Sequence, residues 1–273
     1  MNSHRLYLIT PTLILALMLA ACNLPSKSGP TSTPIINDWP QLSPTVTPTT
    51  SPTQTIKPSS TSSIGCTNAY YPLSPGATWS YASNGGPAGG YTYTRTLSGL
   101  SDTGFTTIDV LGTVTRTVTW RCDNGNLTSL ATASGNALVS STSMKMTIDS
   151  VNATGYVIPN AFTDGKTWSE DLMVNATSVS GKDTSTVVSE ATTACTTAGA
   201  ESVKGPAGTF DTVKITCHSN QVATVTIKGI NGGPITTLQD STQWYAKGVG
   251  MVQTLNTGDA GNETIQLTSY SIP

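Results

Sequence analysis

From Val114 to Cys122 the chain reads Val-Thr-Arg-Thr-Val-Thr-Trp-Arg-Cys. Val114, Val118, Trp120 and Cys122 fall on one parity, and Thr115, Thr117 and Thr119 on the other. Strict alternation puts each set on its own face of a strand and makes no helix face. The pattern recurs. Met144, Met146 and Ile148 alternate with Lys145, Thr147 and Asp149. Asp211, Val213, Ile215 and Cys217 alternate with Thr212, Lys214 and Thr216, and Ala223, Val225 and Ile227 with Thr224, Thr226 and Lys228. Asp123-Asn124-Gly125-Asn126 carries the Asn-Gly pair that favours a two-residue hairpin turn. Further turn signals lie at Asn84-Gly85-Gly86, Gly181-Lys182-Asp183, Asn231-Gly232-Gly233 and Gly258-Asp259-Ala260-Gly261.

The segments between these breaks number roughly ten to thirteen strands, and none has a helix period with caps. The expected fold is all-β: an antiparallel, strongly curved sheet or partly open barrel, with a two-sheet β-sandwich as the alternative. Abundant Thr and Val, stiff at χ1, favour the same class. One internal echo stands out. Pro75-Gly76-Ala77-Thr78-Trp79-Ser80 resembles Asp164-Gly165-Lys166-Thr167-Trp168-Ser169. Each is a Gly turn leading into a strand whose Trp can plug the sheet.

The amino end has a different character. His4 and Arg5 precede an apolar run from Leu6 to Leu19, which closes on Leu19-Ala20-Ala21-Cys22. Small residues before a cut site mark a secretory signal, and the run is shorter than the roughly 20 apolar residues a membrane span needs. Leu-Ala-Ala-Cys resembles the bacterial lipobox. That resemblance implies a signal peptide over 1–21 and a lipidated Cys22, carrying diacylglycerol and palmitate-type acyl chains. At about 0.8 kcal/mol per buried CH₂, two or three chains hold almost permanently. Residues 22–63, rich in Ser, Thr and Pro, offer too little apolar surface to fold and read as a disordered stalk. A Pro-rich linker extends about 3.1 Å per residue, so the stalk reaches on the order of 100 Å at most. Such tracts are also typical of glycosylated stalks.

Residues 64–273 then form one β-rich extracytoplasmic domain. The chain holds 13 Lys+Arg and 15 Asp+Glu; setting aside Arg5, Lys27, Lys57 and Asp38 leaves ten basic and fourteen acidic residues there. A balance of this kind argues against nucleic-acid binding, which needs a basic patch. Cys66, Cys122, Cys195 and Cys217 are an even set in an exported chain and read as two disulfides. Three pairings exist. Cys195–Cys217 and Cys66–Cys122 are favoured because each pair flanks a strand pairing, and the shorter loop is worth roughly 3 kcal/mol by chain entropy. Metal ligation is the rival reading, but no Cys-x-x-Cys occurs and only His218 is near, so no metal or cofactor is expected.

A search for catalysis finds little. His218 is the one histidine after the signal segment, and Gly-x-Ser-x-Gly, Ser-x-x-Lys and a phosphate loop are missing. Glu170-Asp171 is the one adjacent acidic pair, and strand neighbours point to opposite faces. Asp123–Asn126 has Ser134 where an EF-hand needs Glu. The chain is expected not to be an enzyme. Tyr91, Tyr93 and Arg95 share one strand face, where aromatic rows either stack on sugars or pack across strands.

Four stretches look familiar together: Tyr70–Tyr81, Thr163–Trp168, Gly208–Ile215 and Trp244–Val252, closing with Ser269-Tyr270. Their order resembles the TapB-like group of secreted bacterial proteins and lipoproteins. The resemblance implies an antiparallel β protein akin to the curved half-barrels of periplasmic lipoprotein carriers, and it implies no catalytic residues. In Trp244-Tyr245-Ala246-Lys247-Gly248-Val249-Gly250 the glycines suggest a kink or bulge while Trp244 packs into the sheet.

The expected function is that of a lipid-anchored, extracytoplasmic binding module on the cell membrane or outer membrane. A concave face with Met144, Met146, Ile148 and Trp168 would take a lipid or other apolar ligand. The alternative is an envelope interaction domain that binds polysaccharide or protein, with Tyr91 and Tyr93 as contacts. Cys22→Ser is expected to abolish palmitate labelling and to release the protein or leave it uncleaved. Metabolic labelling with cell fractionation checks this, and unchanged labelling would remove the anchor.

Overall fold

The structure, a computed structural model, describes residues 66–86, 89–131, 138–140, 144–259 and 261–273, with the backbone alone at 138–140 and Met144. Cys22, the signal segment and the stalk lie outside the described residues. Ile64–Pro273 is a compact unit. No helix occurs among the described residues. The thirteen strands are β1 (Thr78–Gly85), β2 (Tyr91–Ser98), β3 (Gly104–Leu111), β4 (Val114–Asp123), β5 (Asn126–Ser129), β6 (Leu138–Ser140), β7 (Met144–Gly155), β8 (Thr167–Ser180), β9 (Asp183–Gly205), β10 (Gly208–Ile227), β11 (Ile230–Ala246), β12 (Gly250–Gly258) and β13 (Glu263–Ser271).

Nearly every strand pairs antiparallel with the next, β1 pairs with β13, and β3 pairs with β4. The hydrogen bonds therefore run round a ring, which makes the sheet a nearly closed barrel and rules out two stacked sheets. Among the described residues the shortest seam is β6–β7, joined at Ser140↔Lys145. It is reinforced where β5 meets the end of β7. The Leu127 amide donates to the Ile158 carbonyl (2.8 Å), the Val157 amide to the Leu127 carbonyl (2.8 Å), and Thr128 Oγ1 to the Gly155 carbonyl (2.9 Å). Around the core, closure leaves almost none of the open edge that invites aggregation.

Local chemistry accounts for the turns. Asn124 (φ 49°) and Gly125 (φ 81°) are both left-handed, as a two-residue hairpin with the sheet's own twist requires. The β10–β11 turn departs from expectation. It sits at Lys228 (φ 53°) and Gly229 (φ 80°), and Asn231–Gly233 lies inside β11. A left-handed pair three residues earlier already closes the hairpin, and the surplus glycines are absorbed by a register shift between Thr224 and Thr226.

The interior is closed off by the segment before β1. Cys66 is joined to Cys122 of β4, and Asn68 Nδ2 donates to the carbonyls of Gly125 (2.8 Å) and Pro159 (2.9 Å). Held this way, Tyr71 reaches the middle of an aromatic cluster, with Trp79, Phe105 and Trp120 rings at 5.6, 5.5 and 5.5 Å. The two echoed Trp residues do similar work. Trp79 and Trp168 each occupy the second position of a strand and are buried, and their indoles donate to the carbonyls of Val249 (2.6 Å) and Val157 (3.1 Å). Cys195 and Cys217 are direct cross-strand partners on β9 and β10, Cα atoms 4.1 Å apart, and form the second disulfide.

The strands differ in length. β9 has 23 residues and β10 has 20, against eight for β1. Pairing of β11 with β12 begins only at Gln239↔Gly258, so earlier β11 residues run past the ring. Pro234 in that stretch offers no N–H and blunts the exposed edge. Tyr71→Ala is expected to cost about 3–5 kcal/mol, as for other large aromatic truncations in a core. Urea unfolding measures it, and a loss under about 1 kcal/mol would show that Tyr71 does not organise the interior.

Candidate ligand site in the barrel lumen

Three cross-strand neighbours define the polar part of the lumen. Arg95 on β2 is registered with Asp109 on β3, and Asp109 with Arg116 on β4. All three point inward, because they share parity with Leu97, Phe105 and Trp120, which are buried. Arg95 Nε and Nη2 donate to Asp109 Oδ1 (2.7 Å) and Oδ2 (2.8 Å), and Arg116 Nε donates to Oδ2 (3.1 Å). Asp109 is fully buried. Burial alone would raise its carboxyl, but Arg95 and then Arg116 outweigh that and hold it below the usual carboxylate range.

Beside this cluster lies a cavity of about 240 Å³. Val118, Trp120, Trp168 and Ile265 are among its apolar lining, and about as many polar side chains line it, Arg95, Arg116, Glu170, Gln243, Thr254 and Asn256 among them. Trp120 is fixed by its indole N–H, which donates to Thr107 Oγ1 (3.0 Å). Glu170 comes from the lumen face of β8, and Asp171 points outward and is exposed. Glu170 Oε1 is buried with no hydrogen-bond partner. Burial pushes its carboxyl up to about 8, so it is protonated at neutral pH.

The residues singled out in the sequence separate. Tyr91, Tyr93 and Arg95 do share one face, but it is the lumen face. Tyr93 is buried, stacked on Tyr81 at 4.9 Å, with the Arg95 guanidinium 5.9 Å from its ring. Tyr91 is half-buried beside Tyr93. Neither makes an outer platform for a sugar ring. Trp168 lines the cavity. Met146 lies on the same continuous face but packs against a separate cluster of Leu172, Val174 and Ala176, and Ile148 bridges that cluster and the main core. Met146 pairs with Ser178, ten residues from Trp168 along β8, or roughly 33 Å. They therefore do not form one pocket. The Met144 side chain lies outside the described residues.

Arg95, Asp109, Arg116 and Glu170 were not picked out as a site by sequence reasoning. The signal was there: Arg116 occupies an apolar-parity position between Val114 and Val118. Alternation alone does not say that three such charges meet.

On the outer face His218 Nδ1 lies 2.7 Å from Asp240 Oδ1, both exposed, in a hollow of about 710 Å³. The row across the sheet runs Ser169, Ala194, His218, Asp240. Ser169 is two strands from His218, roughly 10 Å away, beyond the reach of a nucleophile–base hydrogen bond.

The DUF3108-like family matches residues 112–270, more than half of the chain. The chain belongs to the DUF3108-like family. Two solved structures are similar to it. One is a protein from Bacteroides fragilis described as exported, with a YmcC-like fold: 12% identity, TM-score 0.45, 75% of this chain and 100% of that one covered. The other is a protein from Parabacteroides distasonis described as a lipoprotein: 15% identity, TM-score 0.42, 76% and 99% covered. No curated protein matches the chain. The family match spans β4 to β13, and so includes Arg116 and Glu170 but not Arg95 or Asp109.

Glu170 makes stability depend on pH in a direction opposite to that of most carboxylates. Its folded pKa of about 8 lies above the ordinary 4.5. The folded state therefore keeps a proton that the unfolded chain has released. The resulting stability is complete below the unfolded value and is lost as pH rises towards 8. Urea midpoints should fall between pH 5 and 8, and Glu170→Gln should flatten this slope. An equal slope in both proteins would place the effect elsewhere.

Proposed function

We propose that the chain is exported, held on a membrane by acyl chains on Cys22, and acts there as a non-catalytic binding module whose lumen takes a small apolar ligand. The observation that carries this reading is the cavity that Val118, Trp120, Trp168 and Ile265 line together with polar side chains. Its volume lies just under the roughly 300 Å³ at which ordinary ligand pockets begin, which suits a short chain or a single ring. Leu19-Ala20-Ala21-Cys22 and the two disulfides support the extracytoplasmic address. Kinship to the TapB-like group, on the anchors around Trp79, Trp168 and Trp244, is part of the same reading. A permanent anchor keeps the domain near its membrane and favours a tethered receptor or chaperone over a diffusing shuttle.

A second reading has one observation in its favour. The outer hollow is edged by Thr167, Ser169, Thr196, Thr216, Thr242 and Asp240, a hydroxyl-rich surface suited to an envelope polysaccharide. The two are separated by native mass spectrometry of the mature chain in mild detergent, alongside a pull-down on isolated cell-wall polysaccharide. A small apolar adduct that leaves on denaturation is the expected result. A bare mass in every preparation, together with retention on the polysaccharide, would shift the function to the outer face.

A further inference from the structure

We infer that the lumen selects amphiphiles with an anionic oxyacid head, carboxylate or phosphate, seated on Arg95 and Arg116. This rests on the reading of the lumen as the ligand site and names its ligand class.

The geometry behind it is an uneven ion cluster. One carboxylate, Asp109, serves two guanidiniums. Arg95 uses both of its bonds on this carboxylate, one to each oxygen, and Arg116 directs Nε and Nη2 to Oδ2. Asp109 has no exposed surface, so it cannot spread to further partners. A guanidinium carries five N–H donors in a planar fork, and Arg116 spends two of its nitrogens on Asp109 while also lining the cavity. Its side chain is 25% exposed. An excess positive charge in a low-dielectric interior is costly until an anion completes it, and a forked oxyanion does so with short, charge-assisted bonds.

The other acidic groups facing inward do not supply that anion. Glu263, on β13 two strands from β2, forms no salt bridge with Arg95 or Arg116 among the described residues; Ser83 Oγ donates to its Oε1 (2.6 Å) and Asn256 Nδ2 to its Oε2 (3.2 Å). Glu170 is protonated at neutral pH by virtue of its burial. It adds no negative charge and can donate a hydrogen bond instead.

The apolar half of the ligand has a wall on the same strand. Val118 and Trp120 follow Arg116 at alternate positions of β4, with Trp120 roughly 13 Å further along. Head on Arg116 and tail towards Trp120 and Trp168 is the orientation this sets.

The test is a tryptophan-fluorescence titration of the full mature chain with decanoate, decyl phosphate, decanol and decyltrimethylammonium, each below its micelle concentration. Both anions are expected to bind at least about 10-fold more tightly than decanol, one decade per 1.4 kcal/mol, with the cation weakest. The tighter of the two anions identifies the head group. Arg116→Gln should bring decanoate to the level of decanol and leave decanol unchanged. Equal binding of decanol and decanoate overturns the anion inference while the lumen reading stands. Binding of none of the four overturns both.

A second measurement uses the unaltered protein in case Arg116→Gln does not fold. Glu170, faced by Arg121, Asp171 and the Ser129 backbone, ionises at about 8 and then places a negative charge in the same cavity. Decanoate affinity should fall several-fold from pH 7 to pH 9 in the native chain, stay level in Glu170→Gln, and stay level for decanol in both. A decanoate affinity that does not change over this range would overturn the inference.

Discussion

The structure depends on the closure of its hydrogen-bonded ring. β1 pairs with β13 and β3 with β4, so the sheet has almost no free edge around the core. Closing a sheet of this many strands encloses more space than one layer of side chains fills. The chain answers that in two ways. It folds the Cys66–Ala77 segment inward, so that Tyr71 fills the middle of the aromatic cluster. It also places large rings at the strand starts, Trp79 and Trp168, each fixed by an indole hydrogen bond to a loop carbonyl.

The part left unfilled is polar on one side, and this is the unusual feature of the interior. A buried ion cluster seldom stabilises more than a well-packed apolar substitute would. Here it holds β2, β3 and β4 in register at the place where the ring turns towards its shortest seam among the described residues. The Asp109 carboxylate is shared between two guanidiniums, and Glu170 stands nearby in the cavity without a partner for Oε1. The Asp109 carboxylate is fully hydrogen-bonded, whereas the bare Glu170 Oε1 is a departure from polar satisfaction of the kind that binding sites retain. The long strands β8 to β10 carry the same face beyond the ring, with Leu172, Val174 and Ala176 buried there as a separate cluster.

Much of the architecture was legible in the sequence. The alternation of Val114–Cys122 yields β4, and the Asn124-Gly125 pair yields the hairpin that follows it. The matching Gly-x-Thr-Trp stretches yield two strands that begin the same way. The turn at Lys228-Gly229 was not legible, since Asn231-Gly232-Gly233 carries the stronger local signal and only pairing of β10 with β11 decides between them. The candidate site was less legible still. Tyr91 and Tyr93 fall on one face in the sequence, yet whether that face looks in or out depends on which way the sheet curves. Met146 and Trp168 share a face too, but the length of β8 places them far apart.

By itself, the sequence determined what a local rule can determine: the β class, the parity of each strand, most hairpins and an even set of four cysteines in the β-rich part of the chain. Parity is a property of neighbours one and two positions apart, so it survives without knowledge of the fold. The tertiary structure alone decided which parity faces the lumen, and that Thr78 pairs with Ser271 to help close the ring. It also decided that Arg95, Asp109 and Arg116 converge on one carboxylate beside Glu170 and Trp168. Those contacts join residues separated by whole strands. Their energies come from burial and charge in a shared interior, which exists only once the ring has closed.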